Sequence, residues 1–165
     1  MSEVYENTDS RTASAEEESA INQELGGGNY KLIDRYDISQ SGSIGGIQSW
    51  FFSADDILIK IINAKGTDGA KLVVQNWFGG SSYRIVNIQN NFLSDTTAKS
   101  ITFLFERITE VDYKCVFNNN LQLTVIPNSG GFNYERKTTR LTIGTNNDNE
   151  TINEGIIEIY GRSRF

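Results

Sequence analysis

From residue 30 onward, apolar and polar residues alternate with a period of two. Val111, Tyr113, Cys115 and Phe117 fall on one face of an extended chain, and Asp112, Lys114 and Val116 on the other. Ile101, Phe103 and Phe105 repeat the pattern, as do Leu121, Leu123 and Val125. In GIIEIYGRSRF (155–165), Ile157 and Ile159 share one face, while Ile156, Glu158 and Tyr160 share the other. Period two is the signature of strands that bury one face. Strands are predicted over 30–39, 46–52, 56–63, 70–76, 82–89, 101–105, 111–117, 121–125, 138–143 and 155–161.

The breaks between these runs carry turn chemistry: Ser41-Gly42-Ser43, Lys65 to Gly69, Gly79 to Ser82, Asn118 to Asn120, Asn128 to Gly131 and Thr145 to Asn149. No helical period persists over ten residues. About ten short strands with regular breaks predict an all-β fold, an antiparallel β-sandwich of jelly-roll-like form. First and last strands often pair in such folds, so 30–39 is expected beside 155–161. No blade or nonapeptide repeat is present.

The first 28 residues break the pattern. MSEVYENTDSRTASAEEESAINQEL is rich in Ser, Thr and Glu and poor in large apolar residues, too poor to offset the entropy of ordering. Ser14 and Glu17 have capping-box spacing, which would start a short helix carrying Ala20, Ile21 and Leu25 on one side. A helix of that length is marginal alone and needs a partner surface. Gly26-Gly27-Gly28 reads as a hinge. The division is therefore an extended acidic N-terminal arm, 1–28, and a sandwich, 29–165.

Charge sharpens this division. Residues 1–25 hold seven acids and one base, a net −6, which is the formal charge of all 165 residues. The rest is neutral, with fourteen of each sign. It has no basic stripe for phosphates, so nucleic-acid binding is not expected. No apolar run approaches the ~18 residues of a membrane span, and none at the N-terminus resembles a secretory signal. The single cysteine, Cys115, precludes an intramolecular disulfide and reads as a core thiol.

Reactive chemistry is sparse. Without histidine there is no histidine triad and no imidazole metal site. Phosphate-cradling loops and a nucleophile elbow are absent. Asp55-Asp56 is the obvious carboxylate doublet, and its place at a strand opening reads as solvated turn charge. Thr145 to Glu150 is oxygen-rich but lacks the order of a calcium loop, and reads as a hairpin tip. No catalytic residue, metal ligand or cofactor is expected.

Two aromatic clusters are the candidate contacts. Trp50-Phe51-Phe52 sets neighbouring rings on opposite faces of one strand, so either Phe51 or the pair Trp50 and Phe52 faces outward. Trp77, Phe78 and Tyr83 bracket a Gly-Ser loop. Such rings stack on sugars or anchor protein interfaces. Trp50, Trp77, Phe78 and Tyr83 are thus candidate ligand or subunit contacts, and Val4, Tyr5, Ile21 and Leu25 the candidate anchor contacts of the arm.

LVVQNWFGGSSYRI (72–85) resembles a stretch that accompanies calcium-binding repeats in haemolysin-type secreted proteins, but the repeats themselves are absent and the likeness reads as convergence. A second resemblance is longer. NYKLIDRYDIS (29–39), an aromatic strand, ADDILIKIINAK (54–65) and EGIIEIYGR (154–162) follow in the order of a β-sandwich domain that recurs in virion proteins of tailed bacteriophages, on capsids, fibres and baseplates. The segment 117–137 departs from that family. The resemblance implies a non-enzymatic structural role in the virion after synthesis in the host cytoplasm. The version expected is a capsid decoration protein or short head fibre, a homotrimer held by its arm to the major capsid protein or another virion protein. The alternative is a tail fibre or baseplate component whose sandwich binds a host receptor or surface glycan.

Overall fold

The computed structural model describes residues 29–78, 84–107, 112–117, 120–125 and 137–163. Among the described residues there are eleven strands: β1 (Lys31–Asp37), β2 (Ile44–Gly45), β3 (Ile47–Ala54), β4 (Asp56–Gly66), β5 (Leu72–Phe78), β6 (Arg84–Gln89), β7 (Lys99–Arg107), β8 (Asp112–Phe117), β9 (Asn120–Val125), β10 (Thr138–Gly144) and β11 (Thr151–Arg162). The fold is all-β with antiparallel pairing. The larger sheet runs β1-β11-β4-β7-β8-β9, with β2 beside β11, and the smaller runs β3-β10-β5-β6. As expected for the fold class, the first and last strands pair, from Lys31 opposite Gly161 to Asp37 opposite Ile156.

Alternation decides what each strand buries. Ile57, Ile59 and Ile61 of β4 point into the core beside Phe103 and Phe105 of β7 and Ile157 and Ile159 of β11. Trp50 and Phe52 of β3, Leu72 and Val74 of β5, and Leu141 and Ile143 of β10 enter the same core from the smaller sheet. Each fully buried side chain of this size contributes about 1.5–3 kcal/mol.

A second, smaller cluster lies on the outer face of the larger sheet. Leu58 and Tyr160 alternate with core residues, so they face outward, and Tyr30 packs over them. Arg162 places its guanidinium carbon 4.5 Å above the Tyr30 ring. The chain therefore enters β1 from the outer side of the larger sheet.

Three local features depart from the sequence reading. The strand predicted over 30–39 ends at Asp37, because Ile38–Ser41 forms one helical turn, α1. Asp37 caps it, its Oδ1 accepting from the Ser39 N–H at 3.1 Å. A register shift between Leu32 and Asp34 lets both Ile33 and Asp34 point inward. Thr145 to Glu150 is no hairpin tip. β10 pairs with β3 and β5 while β11 pairs with β4, β1 and β2, so this turn carries the chain from one sheet to the other. The Thr145 N–H donates to the Gly46 carbonyl at 2.7 Å, and the Thr145 hydroxyl donates to the Glu150 carbonyl at 3.0 Å.

The largest correction concerns Asp55-Asp56. Both are fully buried, not solvated. Asp55 lies in the bend between β3 and β4, and Asp56 opens β4. Asp55 accepts from Arg107 Nη1 at 2.7 Å. Asp56 accepts from Arg162 Nε at 2.8 Å and from the Arg107 backbone N–H at 2.9 Å. The Arg162 carbonyl in turn accepts from the Asp55 N–H at 2.9 Å. The doublet thus pins the end of β11 to the corner between β3 and β4.

Candidate docking face on the smaller sheet

The smaller sheet turns Ile47, Ser49 and Phe51 of β3 outward, together with Arg140, Thr142 and Gly144 of β10. From β5 come Val73, Gln75 and Trp77, and from β6 come Val86 and Ile88. Strand register sets these in rows. Phe51, Arg140, Trp77 and Arg84 form one; Ser49, Thr142, Gln75 and Val86 the next; Ile47, Gly144, Val73 and Ile88 the third.

The exposed large hydrophobic residues among those described are Phe51 (58%), Ile88 (47%), Val86 (41%) and Ile47 (38%). All four belong to this one face, on its two edge strands. Between them Thr142, Gln75 and Val73 are buried, and the Gly46 backbone fills the place over Gly144, where a Cβ would lie 1.9 Å from the Gly46 carbonyl oxygen. A clustered apolar surface of this kind marks an interaction site, whereas scattered apolar residues do not.

Arg140 sits at the head of the face. Its guanidinium carbon lies 5.7 Å from the Phe51 ring centroid and 5.3 Å from that of Trp77, and its Nη2 donates to Ser49 Oγ at 3.2 Å. Two rings thus hold a cation, each worth about 0.5–1 kcal/mol where solvent reaches. Arg140 Nε and Thr142 Oγ1 are buried without a hydrogen-bond partner. Among the described side chains of this face Arg140 is the charged one, and no acid stands beside it.

The outer face of the larger sheet contrasts with this. Its charges are matched: Arg35 Nε donates to Glu158 Oε2 at 2.7 Å, and Arg162 bridges Asp56 and, at 3.7 Å, Glu106. Its apolar row is capped by Tyr30.

The predicted contact residues divide. Trp77 is half-buried on the docking face. Trp50 and Phe78 are core residues and present nothing to a ligand or subunit. Trp50 points inward because β3 buries its even-numbered positions near Phe52, and its indole N–H donates to Asp34 Oδ2 at 2.6 Å. Phe51 is accordingly the ring that faces out. Tyr83, Val4, Tyr5, Ile21 and Leu25 lie outside the described residues. Ile47, Val86, Ile88 and Arg140 were not singled out in the sequence. Their signal was faint: Ile85-Val86 and Ile88 put apolar residues on both faces of one strand.

Among the described residues no group of three or more Cys, Asp or Glu stands together to hold a metal ion. Asp55 and Asp56 are committed to arginines. Cys115 is buried, its sulfur accepting from Asn87 Nδ2 at 3.7 Å, and burial pushes the thiol up to about 12. The thiol is therefore protonated in the folded protein at neutral pH. Labelling of native protein by a thiol-reactive dye at pH 8 is expected to be orders of magnitude slower than in denaturant, because the thiolate is the nucleophile. Equal rates in the two conditions, followed by absorbance, would contradict a buried thiol. The same displacement lowers stability in alkali: between about 9 and about 12 the unfolded chain releases this proton first, so stability falls as pH rises through that window.

Compared with known protein families and with curated proteins, the chain matches none.

Proposed function

We propose that this is a non-enzymatic structural protein of a tailed-bacteriophage virion, a capsid decoration protein or short head fibre. Residues 1–28 are its anchor to the major capsid protein or another virion protein, and the two-sheet body is a jelly-roll sandwich displayed outward.

One observation carries the reading. The order β1-β11-β4-β7 in one sheet against β3-β10-β5-β6 in the other is that of two interleaved Greek keys. The β8–β9 pair extends the larger sheet by one hairpin. This order supports a jelly roll, an architecture that recurs in viral capsid and lectin domains. The sequence resemblance of 29–39, 54–65 and 154–162 to phage virion sandwiches points the same way. So does the confinement of the net charge to the arm, which suits attachment through residues outside the body.

Truncation tests the reading. Phage particles grown with a tagged full-length copy are expected to carry it through sedimentation. A copy lacking residues 1–25 is expected to stay in the supernatant while keeping the far-UV circular dichroism of a β protein. Attachment of the full chain should weaken as salt rises, since seven acids lie in the arm. Full occupancy by the truncated copy would sink the anchor.

The half-exposed Trp77 beside Arg140 favours a second reading, a tail fibre or baseplate component that binds a host surface glycan. Glycan-array binding that Trp77→Ala abolishes would promote that reading.

A further inference from the structure

We infer that the segment 16–25 lies on the outer face of its own copy's larger sheet, over β7, β8 and β9, and clasps the arm to the body.

One row of outer positions is apolar from edge to edge of that sheet. Leu32 lies opposite Tyr160, Tyr160 opposite Leu58, and Leu58 opposite Leu104. The register carries the row on through Val116 to Leu121. Parity along β9 agrees. Asn120, Gln122 and Thr124 hold positions of core parity, since Gln122 pairs with the buried Cys115. Leu121, Leu123 and Val125 hold the outer ones. A strand whose outer side met water would place polar residues there instead. Tyr30 closes the row over Leu58 and Tyr160, and Leu104 is only partly buried. The rest of the row calls for a further cover.

The N-terminal segment has the matching pattern. In a helix begun at Ser14, Ile21 and Leu25 share one stripe, with Glu17 and Glu24 along one side of it and Glu18 along the other. The larger sheet sets cations beside its apolar row in the same way, Lys60 at the next outer position after Leu58 and Arg162 at the next after Tyr160. Those two strands are antiparallel, so the cations flank the row on opposite sides, where the carboxylates of the helix would meet them. A helix about 10 Å across covers two strands at ~4.8 Å spacing. A helix of about eleven residues needs such a surface to persist.

Reach decides whose segment it is. Tyr30 already packs on this outer face. Leu25 lies five residues upstream, at most about 17 Å of extended chain. In the order β4-β7-β8-β9, β9 is three strand spacings from β4, about 14 Å. Leu25 therefore reaches every strand of the remaining row in its own copy, with no second chain required. On the virion reading proposed above, Val4 and Tyr5 are then the contacts left for a shell, while Ile21 and Leu25 hold the arm to the body.

The test uses the purified full-length chain, without particles, so it can fail while the virion reading stands. Amide hydrogen exchange of residues 16–25 is expected to be slower than in a free peptide of the same sequence by about tenfold or more. Ile21→Glu with Leu25→Glu should return it to the peptide rate, and so should Leu104→Glu on the body. Disulfide trapping locates the surface. Ile21→Cys paired with Leu104→Cys or with Thr102→Cys should cross-link at monomer mass under mild oxidation. Ile21→Cys paired with Ile88→Cys, on the smaller sheet, should not. The native Cys115 is buried and does not compete. Exchange at the peptide rate in the parent chain overturns the inference. So does protection without a cross-link at either outer position, a cross-link that forms equally at Ile88, or one found only at dimer mass, which would give the face to a neighbouring copy.

Discussion

Asp56→Ala is expected to lose about 3–5 kcal/mol of folding stability, the typical cost of breaking a buried ion pair from one side. Arg162 keeps its charge and loses Asp56 Oδ2, which its Nε and Nη2 both approach at 2.8 Å, with Glu106 at 3.7 Å a weak substitute. The Arg107 backbone N–H loses its acceptor as well. Both losses fall at the corner that ties β11 into the larger sheet, between β1 and β4. A domain with a total of about 5–15 kcal/mol would be left near its unfolding threshold. Urea titration followed by circular dichroism measures the loss. Stability within about 0.5 kcal/mol of the parent, the scale of a change at an exposed site, would mean the carboxylate is solvated after all.

Trp50→Ala is expected to cost a similar amount, about 3–5 kcal/mol, by opening a cavity between the sheets. Trp50 is fully buried, meets the Tyr36 ring edge-on at a centroid distance of 6.0 Å, and donates to Asp34. Asp34 is itself fully buried, so it loses a charge-assisted donor it cannot replace with water. Trp50→Phe separates the two causes. It keeps most of the volume and removes the indole N–H, for an expected cost of about 1.5–3 kcal/mol. Equal stability of Trp50→Phe and the parent, by thermal or urea unfolding, would show that the 2.6 Å hydrogen bond contributes nothing. Neither substitution touches the outer face of the smaller sheet, so neither should alter docking in the folded fraction.

Period-two alternation was enough to locate the strands, because each strand buries one face and the code for that is local. Ile57, Ile59 and Ile61, or Ile157 and Ile159, announce their direction without reference to anything else. The pairing of β1 with β11 followed from the fold class. What alternation cannot supply is the partner across the fold. Asp55 and Asp56 read as exposed because two adjacent acids ordinarily are; Arg107 and Arg162, which bury them, lie 52 and 106 residues away. The register shift between Leu32 and Asp34, which leaves both Ile33 and Asp34 buried, has no signal in the alternation.

The docking face was half legible for the same reason. The run Trp50-Phe51-Phe52 shows that rings occupy both sides of β3 but not which side is the core. Arg140 reads as an ordinary surface cation until β10 lies between β3 and β5 and sets it between Phe51 and Trp77. Trp77 was named from its loop neighbours and stands on the face for another reason, the parity of β5. Phe78, one residue on, is in the core by that same parity.

Electron cryomicroscopy of phage particles grown with and without this chain tests the central claim most directly. The account predicts regular extra density on the capsid in the first preparation only, a two-sheet domain standing off the shell on a thin connection. Identical capsids in the two preparations, with no added density, would contradict it.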